Sequence, residues 1–204
     1  MKSKDFFYKI ILLGNYDSGK TNFILRYIEN RYNPMTSRTF GMNYFTKIVK
    51  LNDGRTAKIQ FIDTDSMERG KSYIRAYFNR VNGFIIMYNM TIRESFNNAR
   101  NWLNDVRYDK NTNNIALVGN HADSDNSTDY YHSRVVQTEE GQSIAESNNS
   151  LFFETSNLTG FNVNACIDAL INRIHENDPN KDKFKTKFEL KYGISRQKKR
   201  GCLK

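Results

Sequence analysis

Gly14-Asn15-Tyr16-Asp17-Ser18-Gly19-Lys20-Thr21 fits the pattern GxxxxGK[ST], and its setting decides the fold. The apolar run Lys9 to Leu13 precedes it, and a segment with helical spacing, Lys20 to Glu29, follows. A glycine-rich loop between a strand and a helix N-terminus turns backbone N–H groups toward an anion and adds the helix dipole. In that setting Lys20 reaches phosphates and the Thr21 hydroxyl ligates Mg²⁺. Gly14, Asp17, Ser18, Gly19, Lys20 and Thr21 are the candidate phosphate-binding residues. The bland alternative is a glycine-rich turn with a solvated lysine, which strand, loop and helix in register disfavour.

Working outward, short runs rich in β-branched and aromatic residues recur at Tyr44 to Leu51, Lys58 to Ile62, Gly83 to Tyr88, Ile115 to Gly119 and Leu151 to Glu154. Helical spacing recurs at Lys71 to Phe78, Ser95 to Val106, Thr138 to Ser147 and Val163 to Ile174. Phe96, Ala99, Trp102, Leu103 and Val106 form one apolar stripe, and Val163, Cys166, Ile167, Leu170, Ile171 and Ile174 another. Trp102 and Cys166 are therefore expected in the core. Alternating strands and helices predict a mostly parallel sheet covered on both faces, since parallel neighbours need a crossover. Asn52-Asp53-Gly54 is a hairpin signal and predicts one antiparallel strand. The expected class is α/β: a three-layer phosphate-loop NTPase fold with a six-stranded, mostly parallel sheet. Ser124 to His132, rich in polar residues, is expected as a surface loop.

Two prolines and two cysteines, with 38% hydrophobic and 26% charged residues, exclude disordered and disulfide-stapled classes and point to a reducing, cytoplasmic setting. The N-terminal apolar run is too short for a signal or membrane-spanning segment and reads as a buried strand. Of the net charge of +9, residues 177–204 supply +7, because ten Lys or Arg there meet only Asp178, Asp182 and Glu189. The rest has no basic stripe with interleaved aromatics, so no nucleic-acid partner is expected. Two regions are expected: a domain over 1–176 and a basic, disordered tail over 177–204.

Three further features choose the nucleotide. Asp63 ends a strand, where it can hold Mg²⁺ through water. Asn120 and Asp123 follow the fifth strand, and an Asp there can accept from the N1–H and exocyclic amine of guanine, which adenine does not offer together. Ser156 and Asn157 follow the sixth strand, where a backbone N–H can reach the guanine carbonyl.

In order and spacing these motifs resemble the Ras superfamily, and several details are similar to its Rab branch, over about residues 7–176. Met87 to Phe96 resembles the family's strand into its third helix, and Leu151 to Ser156 its last base-binding strand. The resemblance implies GTP or GDP with Mg²⁺ as ligands, Thr39 as a switch threonine on Mg²⁺ and the γ phosphate, and Tyr32 stacked on guanine. The implied metal set is Thr21, Thr39 and, through water, Asp63. It also implies effector and exchange-factor proteins bound around Thr39–Leu51 and Asp63–Phe78, and a role in vesicle traffic.

Several residues depart from the family pattern. Met67 replaces the glutamine that orients the attacking water, and a thioether does not orient it in that way. Ser66 replaces the glycine that senses the γ phosphate, and Asp65 adds charge nearby. Tyr16 stands where an activating protein's arginine finger must pass, a finger worth about 10³ to 10⁵ in rate. No catalytic residue is therefore expected intact. Asp17 places a carboxylate beside the polyphosphate unless it points outward. His121 replaces a lysine, and Asn157 and Leu158 replace alanine and lysine of the family's base loop. Of the aromatic triad read by Rab partners, Tyr44 and Tyr77 match and Ile62 replaces the tryptophan.

Two functions follow: a GTP-binding switch with slow or no hydrolysis, or a pseudo-GTPase interaction module without a nucleotide-dependent switch. An ATP-using enzyme is disfavoured by Asp123. Cys202 is the candidate lipidation residue, one position short of the C-a-a-X pattern. The basic tail alone allows weak, salt-sensitive contact with the cytosolic face of an endomembrane. His132 and His175, without partner patterns, are expected at the surface.

Overall fold

The fold was obtained as a computed structural model, which describes residues 6–36, 39, 41–64, 74–121 and 133–181. Six strands form one sheet: β1 (Phe6–Gly14), β2 (Met42–Lys50), β3 (Thr56–Thr64), β4 (Gly83–Asn89), β5 (Ile115–Asn120) and β6 (Leu151–Thr155). Their order is β2-β3-β1-β4-β5-β6, parallel except for β2, which pairs antiparallel with β3. The predicted hairpin closes that pair, with Leu51 N–H donating to Arg55 O at 2.8 Å. Four helices are described: α1 (Lys20–Glu29), α2 (Arg93–Lys110), α3 (Thr138–Ser147) and α4 (Val163–Glu176). The expected bounds of α1 and α3 hold, while α2 runs past both ends of the expected Ser95 to Val106. Of the expected helix over Lys71 to Phe78, residues 71–73 lie outside the described residues, and Phe78–Arg80 form a short 3-10 turn.

The alternation of side chains along the strands sorts the core into two layers. Tyr8, Ile10 and Leu12 of β1, with Ile59 and Phe61 of β3, pack beneath α1 and α4. Ile11 and Leu13, with Phe84, Ile86 and Tyr88 of β4, pack beneath α2 and α3. Trp102 and Cys166 lie in these layers at 6% and 0% exposure, as their stripes predict, and burial raises the Cys166 thiol well above its usual range. At α3 the Gln137 N–H donates to Glu140, whose carboxyl the Arg93 guanidinium pulls down to about 2. That pair fastens the start of α3 to the start of α2 on the layer opposite α1.

His175 corrects one expectation. It is only 6% exposed, with Nε2 2.7 Å from Asp53 Oδ2 and Nδ1 2.9 Å from the Tyr8 hydroxyl. Tyr8 also donates to Asp178 Oδ2 at 2.9 Å, and Arg55 donates to Lys181 O at 2.6 Å. Asp178 and Lys181 are thus bonded to β1 and to the β2–β3 turn. A histidine at the end of an apolar stripe carries no local sign of partners that sit on other strands. His132, Ser124 to His132 as a whole, and 182–204 including Cys202 lie outside the described residues.

Candidate functional site

β1 delivers the chain to Gly14, whose φ is +140° and where an added Cβ would lie 2.2 Å from Met87 O on β4. Only glycine lets the loop leave the sheet here. After a single 3-10 turn, Tyr16–Ser18, Gly19 at φ +83° starts α1. A Cβ on Gly19 would meet the Nδ2 atoms of Asn120 and Asn157 at 2.6 Å.

The loop's carbonyls face donors from its own chain. Lys20, 4% exposed, donates from Nζ to Gly14 O at 2.8 Å and Asn15 O at 2.9 Å. Asn120 donates to Ser18 O at 3.1 Å and Asn157 to Gly19 O at 2.9 Å. These bonds engage the carbonyls of Gly14, Asn15, Ser18 and Gly19 and place the N-terminus of α1 and the Lys20 cation where an anion is attracted.

The start of α1 and the end of β3 converge with residue 39. Thr21 Oγ1 donates to Asp63 Oδ2 at 2.7 Å, Thr39 Oγ1 to the same atom at 3.2 Å, and the two hydroxyls are 3.1 Å apart. Asp63 is fully buried, and its Oδ1 has no hydrogen-bond partner among the described residues. Burial raises its carboxyl above the usual range, opposed by the Thr21 hydrogen bond, the Lys20 charge and the Thr39 hydrogen bond. Such a carboxylate is stabilised by a cation. In octahedral Mg²⁺ sites with bonds of about 2.0–2.1 Å, neighbouring oxygens stand roughly 3 Å apart, which matches the Thr21 and Thr39 hydroxyls. All three residues fit the Mg²⁺ set expected from the sequence, and the donors are oxygen only, as a hard cation requires.

These groups open on a cleft of about 400 Å³. Tyr16, Asp17, Gly19, Lys20, Thr21, Tyr32, Thr39, Asn120 and Asn157 line it, so the structure brings together most of the sequence-derived site. Asp17 faces inward: it lines the cleft, and its Oδ1 is buried without a hydrogen-bond partner among the described residues. Tyr16 stands 56% exposed at the rim. Ser156 is buried and supports the base loop, accepting from Thr159 N–H at 3.1 Å rather than lining the cleft. Asp123, Asp65, Ser66 and Met67 lie outside the described residues.

Sequence reasoning named His121 only as a replaced lysine and missed two other contributors. His121 lines the cleft at φ +76°, a strained backbone for a residue with a side chain. Asn22 Oδ1 accepts from Asn33 N–H at 3.0 Å and the Thr36 hydroxyl at 3.1 Å, tying α1 to the segment that reaches Thr39. Arg26 donates to Asn157 O at 2.9 Å and Leu158 O at 2.7 Å. The N-[KH]-x-D spacing of Asn120 to Asp123 flags His121, whereas nothing local announces Asn22 or Arg26.

A model of the Ras family matches residues 9–176. The chain belongs to the Ras family. It is 34% identical over 173 residues to human "Ras-related protein Rab-3A", covering 84% of this chain and 76% of the relative. It is 32% identical over 178 residues to "Ras-related protein RABA5c" of Arabidopsis thaliana, covering 86% and 79%. With "GTP-binding protein ypt3" of Schizosaccharomyces pombe it shares 34% identity over 171 residues, covering 83% and 77%. This Ras-family chain is therefore Rab-like, and its mixed sheet with helices on both faces is the small GTPase fold.

The surface beside β2 and β3 differs from the expected triad in one member. Tyr44 is 52% exposed and its phenol is raised, first by burial and then by a hydrogen bond with Tyr77. Ile62, paired with Tyr44 across the strands, is 2% exposed and belongs to the core beneath them. A branched aliphatic there fills the layer and leaves the two tyrosines as the aromatic surface.

Proposed function

We propose that this Ras-family protein binds GDP and GTP with Mg²⁺, hydrolyses GTP slowly or not at all, and regulates intracellular vesicle traffic. The observation that carries the reading is the Thr21–Thr39–Asp63 oxygen cluster beside the Lys20 loop. There Mg²⁺ would supply charge neutralisation for the polyphosphate, held by Thr21 and Thr39 and, through water, by Asp63. The loop N–H groups and Lys20 bind the phosphates, Asn120 braces the loop, and Asp123 selects guanine. Effectors and exchange factors dock around Thr39–Leu51 and Asp63–Phe78, where Tyr44 and Tyr77 present an aromatic surface. The protein works in the cytoplasm, with the basic tail touching the cytosolic face of an endomembrane.

Slow turnover rests on Met67 and Ser66 in the sequence and on Tyr16 at the rim, which obstructs a finger from a partner. Titration with fluorescent GDP and GTP, with and without Mg²⁺, tests binding. Absence of binding at micromolar nucleotide with Mg²⁺ sinks the reading. Single-turnover hydrolysis at a rate typical of an activated GTPase sinks the slow-turnover part.

The inward carboxylate of Asp17 favours a second reading, a pseudo-GTPase whose partner binding ignores nucleotide. A pull-down of partners that depends strongly on GTP removes it.

A further inference from the structure

We infer that Asn157 is a positioning residue that holds the phosphate loop in its anion-receptive form. The inference rests on the nucleotide reading of this same site and names a residue that sets the shape of its loop.

Gly19 O is the last loop carbonyl before α1, and it accepts two hydrogen bonds. One is the helical bond from Phe23 N–H at 2.9 Å, and the other comes from Asn157 Nδ2, also at 2.9 Å. Asn157 is 4% exposed, and its Oδ1 has no hydrogen-bond partner among the described residues. The amide orientation follows from chemistry, because the opposite one would set two oxygens face to face.

Its backbone is equally fixed. Asn157 N–H donates to Asn120 Oδ1 at 3.3 Å and Asn157 O accepts from Arg26 Nε at 2.9 Å. Asn120 then donates through Nδ2 to Ser18 O. Two asparagine amides, one at the end of β5 and one after β6, thus hold two successive loop carbonyls. A peptide whose carbonyl is held on one side presents the next N–H on the other, toward an anion. An alanine, the residue that the family pattern has here, donates no side-chain hydrogen bond. This chain therefore carries a direct bond between base loop and phosphate loop.

The test uses the full chain stripped of nucleotide and Mg²⁺, as wild type, Asn157→Ala and Asn157→Asp. Asn157→Asp keeps the size and replaces the donor with oxygen. Amide hydrogen exchange is read at Ser18 and Phe23, whose N–H groups bond within the loop, and at Leu117 in the β5 core. Both variants should speed exchange at Ser18 and Phe23 by roughly fivefold, the effect of one hydrogen bond, and leave Leu117 unchanged. GDP association should slow by a similar factor while dissociation changes less. Unchanged exchange at Ser18 and Phe23 in both variants overturns the inference. So does a uniform rise that includes Leu117, which marks a merely structural residue. If the wild type binds no nucleotide, the nucleotide reading fails on its own, and the exchange measurement still decides the role of Asn157.

Discussion

His175 Nε2 lies 2.7 Å from Asp53 Oδ2, which joins the last helix to the β2–β3 turn at the end of the sheet remote from the cleft. The Phe6 ring packs edge-on against the imidazole at 4.6 Å, and the Arg55 guanidinium lies over the Phe6 ring. Replacing His175 with alanine leaves a hole beside Phe6 and removes partners from Tyr8 and Asp53. The expected loss is about 1–3 kcal/mol in urea unfolding, since the histidine is buried while Asp53 is partly solvated.

Asp53 also sets an acid limit. Burial works to raise its carboxyl, but hydrogen bonds from Arg55 and His175 overcome that and hold it well below the usual carboxylate range. A carboxyl depressed in the folded state contributes stability above its unfolded pKa of about 4, and loses it as pH falls through the folded value. Wild type should therefore lose more stability than Asp53→Asn below about pH 4. Parallel acid-unfolding curves for the two would refute this.

At Asp63 the sign is reversed. Without a divalent cation its carboxyl is raised by burial, so the folded protein loses stability as pH rises from about 4 through the raised value. Asp63→Asn should melt higher than wild type in EDTA near neutral pH. The same change should weaken Mg²⁺-dependent nucleotide retention by at least about tenfold, as for other residues that orient a metal's ligands. Thermal melts and GDP release with and without Mg²⁺ check both effects.

Asp17→Ser removes the inward carboxylate beside the phosphate loop. GDP affinity is expected to rise by about tenfold, the order of one like-charge repulsion at partly screened distance. Calorimetric titration of both proteins with GDP measures it, and equal affinities would show that the carboxylate turns away when phosphate enters.

Gly19→Ala should lose nucleotide binding and keep the fold. Its Cβ would meet the ends of two asparagine side chains at 2.6 Å, which can shift at the expense of the loop carbonyls they hold. Gly14→Ala meets backbone instead, at Met87 O, and should fail to fold. Circular dichroism and GDP binding separate the two outcomes.

Repeating local patterns carried most of the architecture. The loop from Gly14 to Thr21, the strand and helix order, the hairpin at Asn52–Gly54 and the core positions of Trp102 and Cys166 all follow from spacing within a few residues. Such spacing fixes which face of an element is apolar and where the backbone must turn, whatever the rest of the chain does. Tertiary structure alone decided that Asp17 points inward, that His175 is buried against Asp53, and that Asn157 bonds to Gly19. The last two partnerships join residues 122 and 138 positions apart. A polar side chain at the end of an element has no periodicity of its own, so its partner is set only when the sheet order brings distant ends together.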